Sequence, residues 1–481
     1  MLVYFWFVKR LKVTKHFIMV KVVSKSEISV NKLIEDLQVE KYGWESKFYK
    51  IAPKKIYAKN LLIGFWEMQR KGKNSLRNWA VECGMLLNNK SISKQAVDGR
   101  LTDNCLKMME LILSEALTLK YKFINKKLNS TELNDMKYLF NRILLQDSTI
   151  QSLPADLCKE FPPSHTSGKK AAMLRLQATF DLTNMCWVAF FIGAFTNNDQ
   201  SQSKAIAKVA EKKDLILRDL GYFTLESLEL LMTEQYVITK WDNKSNLYYN
   251  CDDKKLKNTR IDLLKLFKNE REIDILVQVG SKKRLNMRLI AKKLPKPQAK
   301  KRIEEAKNDR HSKSNHSEKY YKLLEWEIFL TNVEQDKLDI EQVAKLYGLR
   351  WFIEILFKSW KSHCNFKKML GKEKMNYIRM MITIHLLLIE FVYFMLDIFQ
   401  YISVEVAKIT DKLISILKFM DLVNDLFDYI VRIEKLEDLD VLIPSRGLGI
   451  AHATYERRNK RKNMMQKTLE FSDFAPFLFT A

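Results

Sequence analysis

The sequence holds few residues that break a helix: 13 Gly and 8 Pro in 481 residues. That scarcity disfavours a collagen-like, linker-dominated or many-turned all-β chain and makes a helix-rich one the default. The 6 cysteines, Cys83, Cys105, Cys158, Cys186, Cys251 and Cys364, include no C-x-x-C pair. Neither a zinc site nor a disulfide framework is indicated, and a reducing cytoplasm fits. A G-x-x-x-x-G-K-[ST] loop is missing, and neither G-x-S-x-G nor G-x-G-x-x-G stands in a usable context, so nothing supports P-loop hydrolysis or a serine-hydrolase elbow. The 7 histidines are dispersed, and His165 and His363 read as surface or supporting groups rather than ligands. The opening MLVYFWFVKRLK places its apolar run ahead of its positive charges, the reverse of a secretory signal, and Met19 offers a second plausible start. The one stretch long enough to span a membrane, Met380 to Val404, contains His385, Glu390 and Asp397. Carboxylates are costly in hydrocarbon, so it reads as a buried helix and no membrane partner is expected.

Acidic residues are in deficit as well. Against 82 Lys+Arg stand 57 Asp+Glu, a net charge of +25, which favours a polyanionic partner. The 47% hydrophobic content is enough for real cores, and the length allows roughly two to four domains. Apolar residues recur at helical spacing over Lys59 to Lys73 and again in SLRNWAVECGMLL. After a polar turn at Asn88-Asn89-Lys90 a further helix opens SKQAVDGRL. The spacing predicts a helix-turn-helix offering Ser93, Lys94, Gln95 and Arg100 to a groove, although any three-helix bundle with a solvated face shares the pattern.

After Tyr138 the texture turns to β. NRILLQDST (141–149), MLRLQATFDL (173–182) and CWVAFFIGAF (186–195) are successive strand candidates, the last two forming a hairpin. A helix over 202–212, the strand DLILRD (214–219), a helix over 224–232 and the strand QYVITKW (235–241) follow. Together they suggest a mixed sheet flanked by helices. From Asp242 to about Tyr321 that rhythm breaks into an insertion with short strands, EIDILVQVG and KRLNMRLIAKKL. A basic run, KKLPKPQAKKRIEEAKNDRHSK, reads there as a loop that is either solvated or facing DNA. WEIFLTN (326–332) resumes a strand.

One long helix is predicted over DIEQVAKLYGLRWFIEILFKSWKS, residues 339–362. At about 100° per residue, Tyr347, Arg350, Glu354, Lys358 and Lys361 share a stripe of about 80°, while the other directions are apolar. Such a helix is buried. Glu354 must then face a cleft, pair with Arg350 and Lys358, or bind a metal. Asp147 and Asp219 bear on that choice, because each stands at or just beyond the end of an apolar β run, ILLQ and LILR. Three carboxylates converging from two strands and a helix repel one another unless a hard divalent cation lies among them. Mg²⁺ suits such oxygen ligands, and two ions about 4 Å apart clamp the attacking and leaving oxygens of a phosphoryl transfer.

Tyr347-x-x-Arg350-x-x-x-Glu354-x6-Lys361 resembles the Tyr-Arg-Glu-Lys signature of bacterial insertion-sequence transposases, the hairpin-forming cut-and-paste branch of the Asp-Asp-Glu group. DSTIQSLP around Asp147 and LILRDLGYF around Asp219 are similar to that family's two catalytic Asp segments. The resemblance implies a ribonuclease H-like α/β (α+β) catalytic core with an inserted β region, flanked by N- and C-terminal helical domains. It implies Asp147, Asp219 and Glu354 as ligands for Mg²⁺, with Mn²⁺ able to substitute, and Tyr347, Arg350 and Lys361 as phosphate contacts. Trp351 and Trp326 match positions where rings stack on or receive a displaced base, each with a plain core role as its alternative, and Lys358 joins the DNA-facing set. One departure is that many relatives carry Arg directly after the second Asp, whereas Arg218 here precedes it and Leu220 follows.

The expected division is 1–130, a helical DNA-binding domain; 131–372, the catalytic domain with its insertion at about 242–325; and 373–481, a helical domain with a basic tail, YERRNKRKNMMQK. From Asn376 to Pro444 eleven carboxylates face six Lys/Arg, so that block suits protein contact, such as a homodimer, better than DNA. The expected function is a cytoplasmic, nucleoid-associated bacterial transposase that cuts double-stranded DNA at terminal inverted repeats and joins the ends to target DNA. The alternatives are a non-transposing nuclease of the same fold and a repurposed DNA-binding derivative.

Overall fold

The computed structural model describes residues 37–128, 139–163, 172–184, 186–308, 316–363, 366–371, 375–395 and 415–420, besides two strand fragments, Phe5–Trp6 and Phe17–Ile18. The two candidate starts, most of the acidic block and the basic tail lie outside the described residues.

A mixed sheet of nine strands organises the chain. In chain order these are β1 (Ile143–Leu153), β2 (Ala172–Asp181), β3 (Cys186–Ala194), β4 (Leu215–Arg218), β5 (Tyr236–Lys240), β6 (Leu247–Tyr249), β7 (Glu272–Val279), β8 (Leu285–Lys293) and β9 (Trp326–Thr331). Their spatial order is β3-β2-β1-β4-β5-β9-β8-β7-β6. The first three pair antiparallel, and β1, β4 and β5 run parallel. This 3-2-1-4-5 half is a ribonuclease H-like core. The insertion continues the same sheet, since β9 pairs antiparallel with β5 and β8, β7 and β6 extend that edge.

The helices are α1 (Val39–Glu45), α2 (Ala58–Arg70), α3 (Leu76–Met85), α4 (Lys94–Asp98), α5 (Asp103–Leu128), α6 (Leu225–Met232), α7 (Leu263–Leu266), α8 (Lys296–Lys307), α9 (Glu318–Leu323), α10 (Ile340–Leu349), α11 (Trp351–His363), α12 (Phe366–Gly371) and α13 (Tyr377–Ile389). One apolar core joins α2, α3, α5, α10, α11 and α13 to one face of the sheet. The other face is covered by α6 and by the insertion, where Trp326 stacks on Phe267 with centroids 4.2 Å apart.

Four expectations are corrected here. The 202–212 segment is not an α-helix but a 3₁₀ turn, Ala205–Lys208, whose one buried apolar residue is Ile206, too little to hold a longer helix. From Lys296 to Lys307 the basic run is a helix rather than a loop. Within α8, Lys300–Glu304 and Lys301–Glu305 pair at i,i+4, and Arg302 anchors to Glu327 of β9 at 2.8 Å. The second helix of the expected helix-turn-helix is only the five residues of α4. It is capped by Ser93 and ends at Gly99, and Arg100 turns back to the Phe48 carbonyl at 3.1 Å. The single helix over 339–362 is split at Arg350, whose N–H reaches Tyr347 O at 3.1 Å in a tightened turn.

The apolar segment from Met380 packs as α13 against α5 inside the protein. No helix of the described residues is long and apolar enough to cross a membrane. Its Glu390 meets Arg70 of α2 at 2.6 Å, both side chains about 2% exposed, and Trp66 Nε1 donates to Leu386 O at 3.0 Å.

Candidate active site

Side chains alternate across a strand. Ile143 and Leu145 of β1 and Leu215 and Leu217 of β4 enter the core shared with α10 and α11, whereas Leu144 and Ile216 enter the core on the opposite face. Carrying that alternation forward puts Asp147 and Asp219 on the α11 face. Register then makes them neighbours. Gln146 of β1 pairs with Arg218 of β4 in parallel, so the next residue on each strand is one of the two aspartates. Asp147 is not at a strand end, as expected, but inside β1, which outruns β4 and continues to Leu153. Asp219 does leave its strand, preceding a 3₁₀ turn, Leu220–Tyr222.

Across from them stands the seam between α10 and α11. Its start is fixed by a reciprocal cap, with Asp339 Oδ1 accepting from Gln342 N at 2.7 Å and Gln342 Oε1 accepting from Asp339 N at 2.9 Å. The seam delivers Arg350 into the middle of the carboxylates. Its Nη1 lies 2.8 Å from Glu354 Oε1 and 3.5 Å from Asp147 Oδ2, and its Nη2 lies 3.9 Å from Asp219 Oδ1. Both possibilities for Glu354 therefore coincide: it pairs with Arg350, and it stands in a cluster with both aspartates. Tyr347, one turn earlier, packs on Phe329 and is 7% exposed. Its hydroxyl and Arg350 Nε have no hydrogen-bond partner among the described residues.

The chain matches the transposase DDE domain family over residues 139–389, more than half its length. It belongs to that family.

The transposase for insertion sequence element IS231F of Bacillus thuringiensis subsp. israelensis is 27% identical over 361 residues, covering 69% of this chain and 74% of that protein. The transposase for IS1151 of Clostridium perfringens is 28% identical over 289 residues, covering 57% and 60%. A solved piggyBac transposase synaptic complex with hairpin DNA aligns with 93% of this chain and 89% of that one at 11% identity and a TM-score of 0.39, a likeness too slight to carry an argument. This chain is thus an insertion-sequence transposase of the DDE group, and membership implies a general dependence on divalent metal. Among the described residues no three carboxylate, imidazole or thiolate groups stand ready to coordinate a metal, and the Arg350 guanidinium lies among the three carboxylates. The donor set nevertheless suits a hard divalent cation: it consists of three carboxylates already converging on one positive group.

Burial pushes the Asp147 carboxyl of this transposase up to about 7, and Glu354 and Asp219 add to the rise. The Ser148 N–H, 2.7 Å from Asp147 Oδ1, and Arg350 oppose it. An acid whose folded value exceeds its unfolded value of about 4 is penalised once ionised. That penalty builds as pH rises from about 4 to about 7 and persists above. In EDTA, Asp147→Asn is therefore expected to unfold at a higher temperature than wild type at pH 8 and at no higher temperature at pH 4. Midpoint curves that run parallel from pH 4 to pH 8 would contradict this.

The other residues singled out in the sequence are placed as follows. Lys361 Nζ donates to Ile150 O of β1 at 2.8 Å, tying α11 to the strand that carries Asp147. Trp351, 55% exposed, and Lys358 are open to solvent at the surface of α11. Trp326 is buried at 6% exposure under Phe267, so in this conformation its ring is enclosed by the core. Lys94 and Gln95 are exposed on α4, and Arg100 is turned to the Phe48 carbonyl. Arg218 points to the far face, donating to Ser203 O at 2.9 Å and Ser227 Oγ at 2.6 Å, which gives it a place in the core rather than on a phosphate.

Sequence reasoning missed Asp199. Its Oδ1 accepts from Ser148 Oγ at 2.7 Å, Arg175 Nη1 at 3.0 Å and Gln177 Nε2 at 2.9 Å. Gly221 lies so close that a Cβ there would stand 3.0 Å from Asp199 Oδ2. This side chain wedges β1 and β2 against the turn that carries Asp219. It lies in a polar loop between strands, and nothing in its spacing marks it.

Proposed function

We propose that this transposase cuts DNA at the ends of its element and joins them to a target, with Asp147, Asp219 and Glu354 holding the divalent ions. The carrying observation is the register of β1 and β4, which sets two aspartates side by side beneath Glu354, all three gathered on Arg350. Mg²⁺ in a pair, or Mn²⁺, would supply an activated water and charge neutralisation at the attacking and leaving oxygens. Arg350 and the Tyr347 hydroxyl would hold a backbone phosphate, the first through a forked guanidinium and the second through an O–H with no hydrogen-bond partner among the described residues. Lys361, Lys358 and Trp351 flank that path, and Trp326 would reach a base only if the insertion opened. Lys94, Gln95 and Arg100 belong to the expected N-terminal DNA contact.

The resemblance at Tyr347, Arg350, Glu354 and Lys361 supports a hairpin route, in which the freed 3′-hydroxyl attacks the opposite strand before target joining. Two ends need two active sites, which supports a homodimer built by the C-terminal part. The chain would divide at about 130 and 372 into an N-terminal DNA-binding, a catalytic and a C-terminal helical part. Labelled duplex bearing the flanking inverted repeat, incubated with Mg²⁺, is expected to be cut by wild type and at least about 10²-fold more slowly by Glu354→Ala of unchanged melting temperature. Equal cutting by both proteins would remove Glu354 from the site.

A further inference from the structure

The strand QYVITKW carries a lysine whose position follows from the same alternation that placed the aspartates. Ile238 of β5 enters the α11-side core and Val237 the opposite one, so Lys240 falls on the α11 face. Leu217 of β4 pairs in parallel with Ile238. Two residues on, Asp219 and Lys240 stand in the same cross-strand row, and Asp147 lies in that row one strand further. Asp147 on β1, Asp219 just past the end of β4 and Lys240 at the end of β5 thus line up across three adjacent parallel strands.

The surroundings of Lys240 are unusual for a lysine, which normally carries its ammonium out to water. Here the residue is half-buried, and no carboxylate of the described residues pairs with it at ion-pair distance. Glu327, on the same face, is engaged by Arg302 at 2.8 Å. The Lys240 ammonium sits 5.6 Å from the Tyr347 ring centroid, and the Arg350 guanidinium sits 5.8 Å from the same centroid. Two cations therefore flank one tyrosine whose buried hydroxyl has no hydrogen-bond partner of good geometry among the described residues. Burial chiefly, and then the neighbouring Arg302, holds the ammonium below the usual lysine range.

We propose that Lys240 is a further phosphate-binding residue, forming with Arg350 and the Tyr347 hydroxyl a subsite for one DNA phosphodiester beside the cut. The proposal rests on the DNA-end function above. A phosphodiester carries one negative charge and two free oxygens. It can accept from the tyrosine O–H and the Arg350 N–H while the lysine serves as a point charge, and it relieves the repulsion between the two cations.

The test uses the full chain in EDTA and a fluorescent duplex carrying the inverted repeat that flanks the reading frame, with Kd measured against salt. Lys240→Met, close in shape, is expected to keep its unfolding midpoint and to lower the salt slope by about 0.9, the share of one phosphate contact. Lys240→Arg is expected to restore the slope. A methylphosphonate at one position next to the cleavage point should weaken wild type yet cost Lys240→Met nothing more, whereas neutral phosphates elsewhere weaken both alike. An unchanged slope in Lys240→Met, or losses that add at every phosphate, would overturn the subsite while leaving the DNA-end function standing. Wild type that binds the repeat no better than a scrambled duplex would overturn that function, and the subsite with it.

Discussion

Arg350→Ala is expected to unfold several degrees below wild type in EDTA at pH 8, and to recover more than wild type when millimolar Mg²⁺ or Mn²⁺ is added. In the wild type one guanidinium stands 2.8, 3.5 and 3.9 Å from three carboxylates. Removing it leaves three like charges at close quarters. Breaking a fully buried pair costs about 3–5 kcal/mol. Asp219 is 49% exposed and Glu354 31%, and solvent screening therefore argues for a loss nearer about 2–3 kcal/mol. A cation placed among the carboxylates would replace the missing charge, and for that reason the variant should gain more from metal. End cleavage should fall as well, because the phosphate loses its forked donor. A midpoint unchanged in EDTA, or a metal response equal to wild type, would show that Arg350 does not neutralise this cluster.

Glu390→Ala is expected to destabilise the protein by about 3–5 kcal/mol, read from chemical unfolding. Arg70 donates from Nε at 2.9 Å and from Nη2 at 2.6 Å to the same Glu390 oxygen. Both groups are about 2% exposed, so solvent cannot stand in for the lost carboxylate. The pair also joins α2 to the end of α13, and its loss should loosen the N-terminal helices from the rest of the core. A double variant, Arg70→Met with Glu390→Leu, is expected to recover most of the loss, because replacing both charges removes two desolvation penalties together. A cost below about 1 kcal/mol for Glu390→Ala alone would show that water reaches this pair.

Glu390 also illustrates what was legible in the sequence. A carboxylate inside an apolar run argued against a membrane span and for a buried helix, which is what α13 is. Its partner could not be read, because Arg70 lies 320 positions away and no local rule joins them. The strands of the core were legible nearly to their ends, since alternation and β-branched residues are short-range signals. Where local preference was weak, the reading missed. The 205–208 turn lies in a segment with helical composition, and α8 in a run as charged as a solvated loop, although its Lys–Glu spacing at i,i+4 is that of a helix.

The residue types of the candidate site, their helical stripe and their resemblance to a transposase family were in the sequence by itself, because chemistry and period are local properties. Tertiary structure alone decided which of them meet. The β1–β4 register made neighbours of Asp147 and Asp219. The seam at Arg350 turned one helix into two and drove a guanidinium among the carboxylates, and the packing of the insertion enclosed Trp326. The same geometry brought in Asp199 and Lys240, which no motif marks. Register and packing depend on contacts between residues far apart in the chain, and a linear pattern carries no distance between them.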